Sequence, residues 1–466
     1  MTSPVAAVDL GATSGRLFVG TVSAQGVALQ QVGRFPNTPV TLPSGVHWDV
    51  GGLWTGLVAG LRAAGEAAPG LASVGIDTWG ADYGLLRAGR LLGLPYHYRD
   101  LRTVAATAVV DDVMSPAELY RRNGLDPLPF NSLYQLVADR EEGLLAAADA
   151  VLFMPDLLGY WLTGRPATEP TIASTSGLLA PGGIGWDTAL VRTLGLPVDV
   201  LPPMLTPGDP LGPLSPSAAA QTGLDLGVVV RKVASHDTAS AVVGTPLEES
   251  GSAYLSCGTW SLLGVEVDRP VIGEEARLGR FTHEAGVDGT ILLHKNLMGL
   301  GLVSGLVGDA GDLVAVLRAA ASVHLRPDQL IDPADPAFLR LERTADVMHR
   351  WFRERGIPAP EGVPALVRCV LESLAEAFAR GVADLERLGG RAVPVIHLVG
   401  GGAQNSLLCQ ATADRTGRPV VAGPVEASVV GNVLVQARAQ GGLDADLAGL
   451  RELVRRSASL TRYDPR

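Results

Sequence analysis

Apolar positions fall in short blocks near the start of the chain. VAAVDL (5–10), RLFVGTVS (16–23) and VALQQVGRF (27–35) are separated by glycine-containing turns. Runs of this length read as strands, and three in succession predict a meander. VGGLWTGLVAGLRAAGEA (50–67) repeats its apolar residues at helical spacing and predicts one helix. LASVGIDTW (71–79) is another buried strand, carrying Asp77 at its end as the first strand carries Asp9. Helical spacing dominates over residues 104–166 and returns in DTALVRTLGL (187–196), after which a proline-rich loop spans 201–223. VVVRKVASHDTASAVVGTP (228–246) reads as strand, polar turn and helix.

At residues 250–267 the opening layout comes back: SGSAYLSCGTWSLLGVEV is a strand, a small-residue turn with hydroxyls and a second strand. Two such blocks far apart predict two related halves. The helices DLVAVLRAAASVHL (312–325) and ALVRCVLESLAEAFARGVADLERL (365–388) follow. VPVIHLVGGGAQNSLLCQATADRTG (393–417) and RPVVAGPVEASVVGNVLVQARAQ (418–440) each read as strand, turn and helix. The expected class is α/β, with two domains at 1–245 and 246–466 and a cleft between them.

Composition narrows the function. The 466 residues are 47% hydrophobic and 18% charged, which is globular rather than disordered. No run of ~18 apolar residues is free of Gly, Pro or charge, so no membrane span is expected. The start, MTSPVAAVDL, lacks a basic n-region, which argues for a cytoplasmic protein. A net charge of -11 with no Lys/Arg cluster disfavours nucleic acid as a partner. Cys257, Cys369 and Cys409 fit neither a zinc spacing nor a disulfide framework. The expected partners are small molecules, to a monomer or small homo-oligomer.

No P-loop motif, Rossmann fingerprint, G-x-S-x-G elbow or HExxH occurs. Instead GATSGR (11–16) and SCGTWS (256–261) are hairpin turns whose successive N–H groups suit an anion nest, or are plain hairpins. Asp9, just before the first turn, suits a hydrated Mg²⁺, which keeps most of its water. The glycines of HLVGGGAQNSLL (397–408) allow a flat ligand to approach, with Gly401 and Gly402 nearest, or simply make a tight turn. In ASHDTASA (234–241), Asp237 suits a general base at a strand end, while Asp237 or Thr238 also suits a helix cap. Trp79 with Asp77, Asp82 and Tyr83 suits a polyol site, or a core Trp beside a solvated turn.

VDLGATSGR, SCGTWS and VGGGAQN resemble the two phosphate motifs and the adenosine motif of the actin-like ATPases, whose domains are ribonuclease-H-like. With GIDTWGADY and ASHDTASA the set is similar to the FGGY carbohydrate kinases over essentially the whole chain. PYHYRDLRT, PFNSLYQL, MPDLLGYWLTG, KNLMGL and AGPVEAS, in that order, resemble the branch of the family that acts on L-rhamnulose. The resemblance implies transfer of the γ-phosphoryl group of ATP to the sugar's 1-hydroxyl. It implies Asp237 as proton acceptor, with His236, Thr238, Gly80 and Asn296 at the sugar. It implies ATP contacts from Ala12, Thr13, Ser14, Gly15 and Arg16, from Thr259 and from Gly402, and Asp9 as the Mg²⁺ anchor. After KNLMGL the family usually carries Trp and then Gln; here Gly301 and Ser304 stand there, a departure from the family pattern. A related deoxyketose such as L-fuculose, or a non-catalytic nucleotide switch, are the competing expectations.

Overall fold

The computed structural model describes residues 2–248, 251–308, 311–339 and 343–466. The chain divides into two compact units, each drawn from separate stretches of sequence. The first comprises Met1–Pro246, Glu266–Leu293 and Ala427–Ala458; the second comprises Leu247–Val265, His294–Glu426 and Ser459–Arg466.

The first unit is built on a six-stranded sheet in the order Pro210–Pro213, Val229–Arg231, Ser73–Thr78, Val5–Leu10, Ser14–Ser23, Gly26–Pro36. The expected meander is present: Val5–Leu10 runs antiparallel to Ser14–Ser23, which runs antiparallel to Gly26–Pro36. Val5–Leu10 also runs parallel to Ser73–Thr78, and Ser73–Thr78 parallel to Val229–Arg231. Val5–Leu10 is buried at every position, as a central strand covered on both faces must be. Leu17 and Gly20 sit an odd number of residues apart and so face opposite ways. Leu17 meets Gly60 of the helix Val50–Ala67, and Gly20 meets Val433 of the helix Ala427–Ala439. The bounds of Val50–Ala67 match the expected helix, and Asp49 caps it by accepting from the Gly52 N–H. The stretch 104–166 is helical at Thr103–Val113, Pro116–Asn123, Ser132–Glu141 and Met154–Thr163, broken by the strand Ala150–Phe153. Tyr83, Val110, Leu133, Val137, Phe153 and Ile172 share its core.

The second unit repeats the plan. Ala253–Cys257 runs antiparallel to Trp260–Val267 and parallel to Ile396–Val399, beyond which lie Val420–Ala422 and Thr461–Tyr463. Its longest helix, Val363–Gly389, buries Leu366, Val370, Leu374, Phe378, Val382 and Leu385 at three- and four-residue spacing.

Two glycines hold one helix crossing in the first unit. A Cβ on Gly431 would stand 1.9 Å from the Ser240 carbonyl oxygen, and one on Gly244 would stand 2.1 Å from the Ala427 carbonyl oxygen. The helices Ala427–Ala439 and Asp237–Val243 therefore meet backbone to backbone. Gly431→Ala should lower unfolding free energy by ~1–3 kcal/mol, the usual range for overpacking. Gly51→Ala, on the exposed start of Val50–Ala67, should instead gain ~0.5–1 kcal/mol from helix propensity. Urea midpoints measured on both variants decide it: equal midpoints would mean the crossing is not tight.

Candidate active site

Strand register assembles the acidic centre of the first unit. Asp9 lies directly opposite Asp77 on the neighbouring parallel strand. The Thr78 N–H donates to the Ser235 carbonyl at 2.9 Å, and Thr78 bridges in parallel to His236, so the next segment ends at the same level. Asp9, Asp77 and Asp237 thus stand at the same end of three adjacent parallel segments, where open α/β sheets place ligands.

The turn after Asp9 is tied from below. The Gly11 N–H donates to the Ser14 carbonyl at 3.0 Å, while Asn37 donates through its side-chain amide to the Gly11 carbonyl at 2.9 Å and through its N–H to the Thr13 carbonyl at 3.0 Å. Among the described residues, the N–H groups of Ala12 and Thr13 have no partner in the protein. That is the construction of an anion nest: carbonyls engaged, amides outward. Gly15 is glycine for a different reason, since a Cβ there would stand 2.3 Å from the Phe35 ring. Arg16 pairs with Asp9, whose Oδ2 also accepts from the Ser428 hydroxyl at 3.1 Å.

Asp77 is fully buried and accepts from the Asn432 side-chain amide at 2.6 Å through Oδ2; its Oδ1 has no partner. Burial first, then the charges of Asp9 and Asp237, push its carboxyl well above the usual range, against the Asn432 bond and Arg16. No group of three or more His, Cys, Asp or Glu forms a metal cage among the described residues. A hydrated Mg²⁺ needs only one or two carboxylates, and Asp9 beside the orphaned Asp77 oxygen fits that requirement.

Asp237 is the first residue of the seven-residue helix Asp237–Val243, and His236 occupies the cap position without a side-chain cap bond. The capping alternative therefore fails for Asp237 and Thr238 alike. The Asp237 side chain keeps 34% exposure, while its neighbour His236 is enclosed. The Nε2 of His236 lies 3.5 Å from Asp237 Oδ1, and its Nδ1 lies 2.8 Å from Glu284 Oε2. Burial alone would lower the His236 pKa; the charges of Glu284, Asp237 and Glu169 outweigh it and raise it to about 9. His236 is therefore an imidazolium at neutral pH. Asp237 is pushed above the usual carboxylate value by desolvation and by Asp9, with His236 pulling the other way. A carboxylate made more basic in this way is a better proton acceptor.

Gly80 abuts Thr175, which a Cβ would approach to 2.9 Å, and the Thr175 hydroxyl accepts the Ala81 N–H at 2.9 Å. Asp82, expected as part of a polyol site, is engaged by four donors of the protein. Its carboxylate accepts from Trp48 Nε1 at 2.6 Å, Trp79 Nε1 at 3.0 Å, the Tyr98 N–H at 3.1 Å and Gln135 Nε2 at 2.9 Å. Burial raises its pKa to about 6 despite these donors. The Trp79 ring is also buried, 4.0 Å from the Trp48 ring. Asp82 and Trp79 are the anchor and the face of an aromatic wall that continues through His97 and Tyr98.

The second unit gathers Thr259, Gly401 and Gly402. Its hairpin turn is gripped in the same manner as the first: the Gly299 N–H donates to the Thr259 carbonyl at 2.9 Å and the Leu300 N–H to the Gly258 carbonyl at 2.8 Å. The glycine loop leaves Ile396–Val399 through Gly400 at φ 81°, then forms a 3-10 turn, Gly401–Gln404, ahead of the helix Ser406–Thr416. A Cβ on Gly402 would meet Cys257 at 2.7 Å, whereas one on Gly401 would meet nothing within 4 Å. Gly402 thus seats the loop on the hairpin turn and Gly401 leaves a face open. Asn296 lies half-buried in Ile291–Met298, beside Lys295, which pairs with Asp384 at 2.7 Å. The Ser304 hydroxyl donates to the Leu300 carbonyl at 3.2 Å. Glu284, Asn432 and Ser428 were not singled out by their sequence context; a polar side chain at an otherwise buried position is the signal that marks them.

Two α/β units, each a strand–turn–strand hairpin joined to a parallel strand, with carboxylates at the strand ends of the first, define an enzyme of the actin-like ATPase type. The chain belongs to the FGGY family of carbohydrate kinases, whose N-terminal domain matches residues 5–244 and whose C-terminal domain matches residues 253–440. It is accordingly a kinase that moves a phosphoryl group from ATP to an alcohol of a carbohydrate. Among its relatives, a Rhamnulokinase of Bacteroides thetaiotaomicron is 40% identical over 98% of this chain and 95% of its own length. A Rhamnulokinase of Enterococcus faecalis is 37% identical over 94% of this chain and 89% of its own. The fold is shared with a xylulose kinase of Lactobacillus acidophilus at a TM-score of 0.81 and 17% identity, over 100% of this chain and 94% of that one. It is also shared with a Plasmodium falciparum glycerol kinase at a TM-score of 0.77 and 16% identity, over 100% and 95%.

Proposed function

We propose that this enzyme phosphorylates the 1-hydroxyl of L-rhamnulose, giving L-rhamnulose 1-phosphate and ADP. The observation that carries the reading is the 37–40% identity to proteins named Rhamnulokinase along nearly their full lengths. In this reading Asp237 accepts the hydroxyl proton as the oxygen attacks the γ-phosphorus, and ADP departs. His236, Thr238, Gly80 and Asn296 hold the sugar, and the wall of Trp79 and Asp82 shapes its pocket from behind. The turn Ala12 to Arg16, with Thr259, Gly401 and Gly402, receives the nucleotide, its outward amides meeting phosphate oxygens. Asp9 holds hydrated Mg²⁺, which when bound neutralises charge on the phosphates. The enzyme works in the cytoplasm as a monomer or small homo-oligomer, and no helix of the described residues is long and apolar enough to cross a membrane.

ADP release measured across a panel of ketoses and polyols tests the reading. L-rhamnulose should give the highest kcat/KM, at least tenfold (~1.4 kcal/mol) above L-fuculose or glycerol. A tenfold preference for another sugar would move the specificity elsewhere in the family. ATP binding with no sugar-dependent turnover would favour the nucleotide switch.

A further inference from the structure

Behind His236 stands a carboxylate that the phosphoryl-transfer scheme does not use. Glu284 lies in the strand Thr282–Ala285, 5% exposed. The chain on either side of it is pinned. The Ala285 N–H donates to the Ser174 hydroxyl at 3.0 Å, and the His283 N–H donates to the Gly124 carbonyl at 3.0 Å. The Thr282 hydroxyl accepts the Asp126 N–H at 3.1 Å. The Glu284 carboxylate therefore cannot retreat to water. His236 is fixed as firmly: its N–H donates to the Thr171 hydroxyl at 3.2 Å, and the residue is 7% exposed.

We propose that Glu284 is a positioning residue for this site: its carboxylate, 2.8 Å from Nδ1, holds the His236 ring so that Nε2 of the same ring faces the Asp237 carboxylate at 3.5 Å. The inference rests on the reading of Asp237 as the proton acceptor. A neutral imidazole has one N–H and would turn a bare lone pair toward one of its two carboxylates; the charged ring attracts both. The acidic groups facing His236 are Glu284 from the strand Thr282–Ala285, Asp237 from its own helix, and Glu169 ahead of the helix Pro170–Ser174. Glu169 is occupied, accepting from the Thr171 N–H at 2.8 Å and the Ser235 N–H at 3.0 Å. That leaves Glu284 as the partner in direct contact with Nδ1. Through His236, Glu284 favours the ionised form of Asp237, the form that takes the substrate proton.

The test uses the full chain with histidine labelled for NMR, the His236 signal being assigned by its loss in His236→Asn. In the resting wild-type enzyme the ring should titrate at about 9. In Glu284→Gln, which keeps the shape and removes the charge, the midpoint should fall toward the ordinary ~6.5. The basic limb of the kcat/KM profile for L-rhamnulose should move down with it, while Glu284→Asp should restore part of both shifts. In a His236→Gln background, Glu284→Gln should leave that limb where it is. A folded Glu284→Gln protein with an unmoved His236 midpoint overturns the proposal. So does a wild-type midpoint at or below ~6.5, a measurement that requires no Glu284 variant to fold. If the wild type phosphorylates no ketose, the functional reading fails on its own, and the NMR titration still decides the part played by Glu284.

Discussion

Asp237→Asn should lower kcat by at least ~10²-fold while the melting temperature holds or rises. The kinetic half follows from the usual contribution of a general base, ~10²–10⁴-fold, and from an amide that accepts no proton at neutral pH. The stability half follows from the sign of the shift. The folded protein raises the Asp237 pKa above its unfolded value, so the folded state binds this proton more tightly. Stability from this group is present below the unfolded pKa and is lost as pH rises through the folded one. At neutral pH the ionised carboxylate is thus a burden on the fold, which Asn removes. No cap bond is lost, because His236 holds the cap position and makes none. Turnover, ATP affinity and thermal melting on one preparation check this. A folded variant with near-normal kcat would return Asp237 to a structural part. In the wild type, the acid limb of kcat/KM should lie above the ordinary carboxylate value of 3.8, since the base must be ionised to act.

Asp9→Asn should lower kcat by ~10²–10³-fold, the scale seen when one preorganised charge-stabilising group is removed. Asn still offers an oxygen to the Ser428 hydroxyl, but it no longer holds a divalent cation by charge. The Mg²⁺ concentration for half-maximal rate should rise at least tenfold. A second signature separates this from general damage. The charge of Asp9 is one cause of the raised pKa values of Asp77 and Asp237. Without it the acid limb of the residual activity should move to lower pH. Wild-type turnover at matched Mg²⁺, with an unmoved acid limb, would sink the assignment.

The parts legible in the sequence were those set by local pattern. The meander, the helix Val50–Ala67 and the two strand–turn–strand blocks each carry their signal within a few residues. What stayed hidden was tertiary. Nothing around Glu284 announces that it meets a histidine 48 positions earlier in the chain. Asn432 and Gln436 sit in an apolar helical run, and only packing shows that they answer the polar groups of Ser73, Asp77 and the Ala6 carbonyl. How Trp79 and Asp82 are held was hidden for the same reason. Their sequence context does not show that Trp48, Tyr98 and Gln135 donate to the Asp82 oxygens. Even Gly15, read as part of a turn that suits an anion nest, has the Phe35 ring where a side chain would stand.

The three-piece make-up of the first unit has a consequence for how the chain is born. Asp77 waits for Asn432 across 355 residues, and Ser73 waits for Gln436 across 363. At ~5–20 residues per second, that interval lasts roughly 20–70 s on the ribosome. Throughout it the central strands lack the helix Ala427–Ala439 on one face, and the Asp77 carboxyl has no amide to meet. Such contacts, distant in sequence, also slow the search for the native state. The first unit to begin emerging is therefore completed only when the helix Ala427–Ala439 has been made.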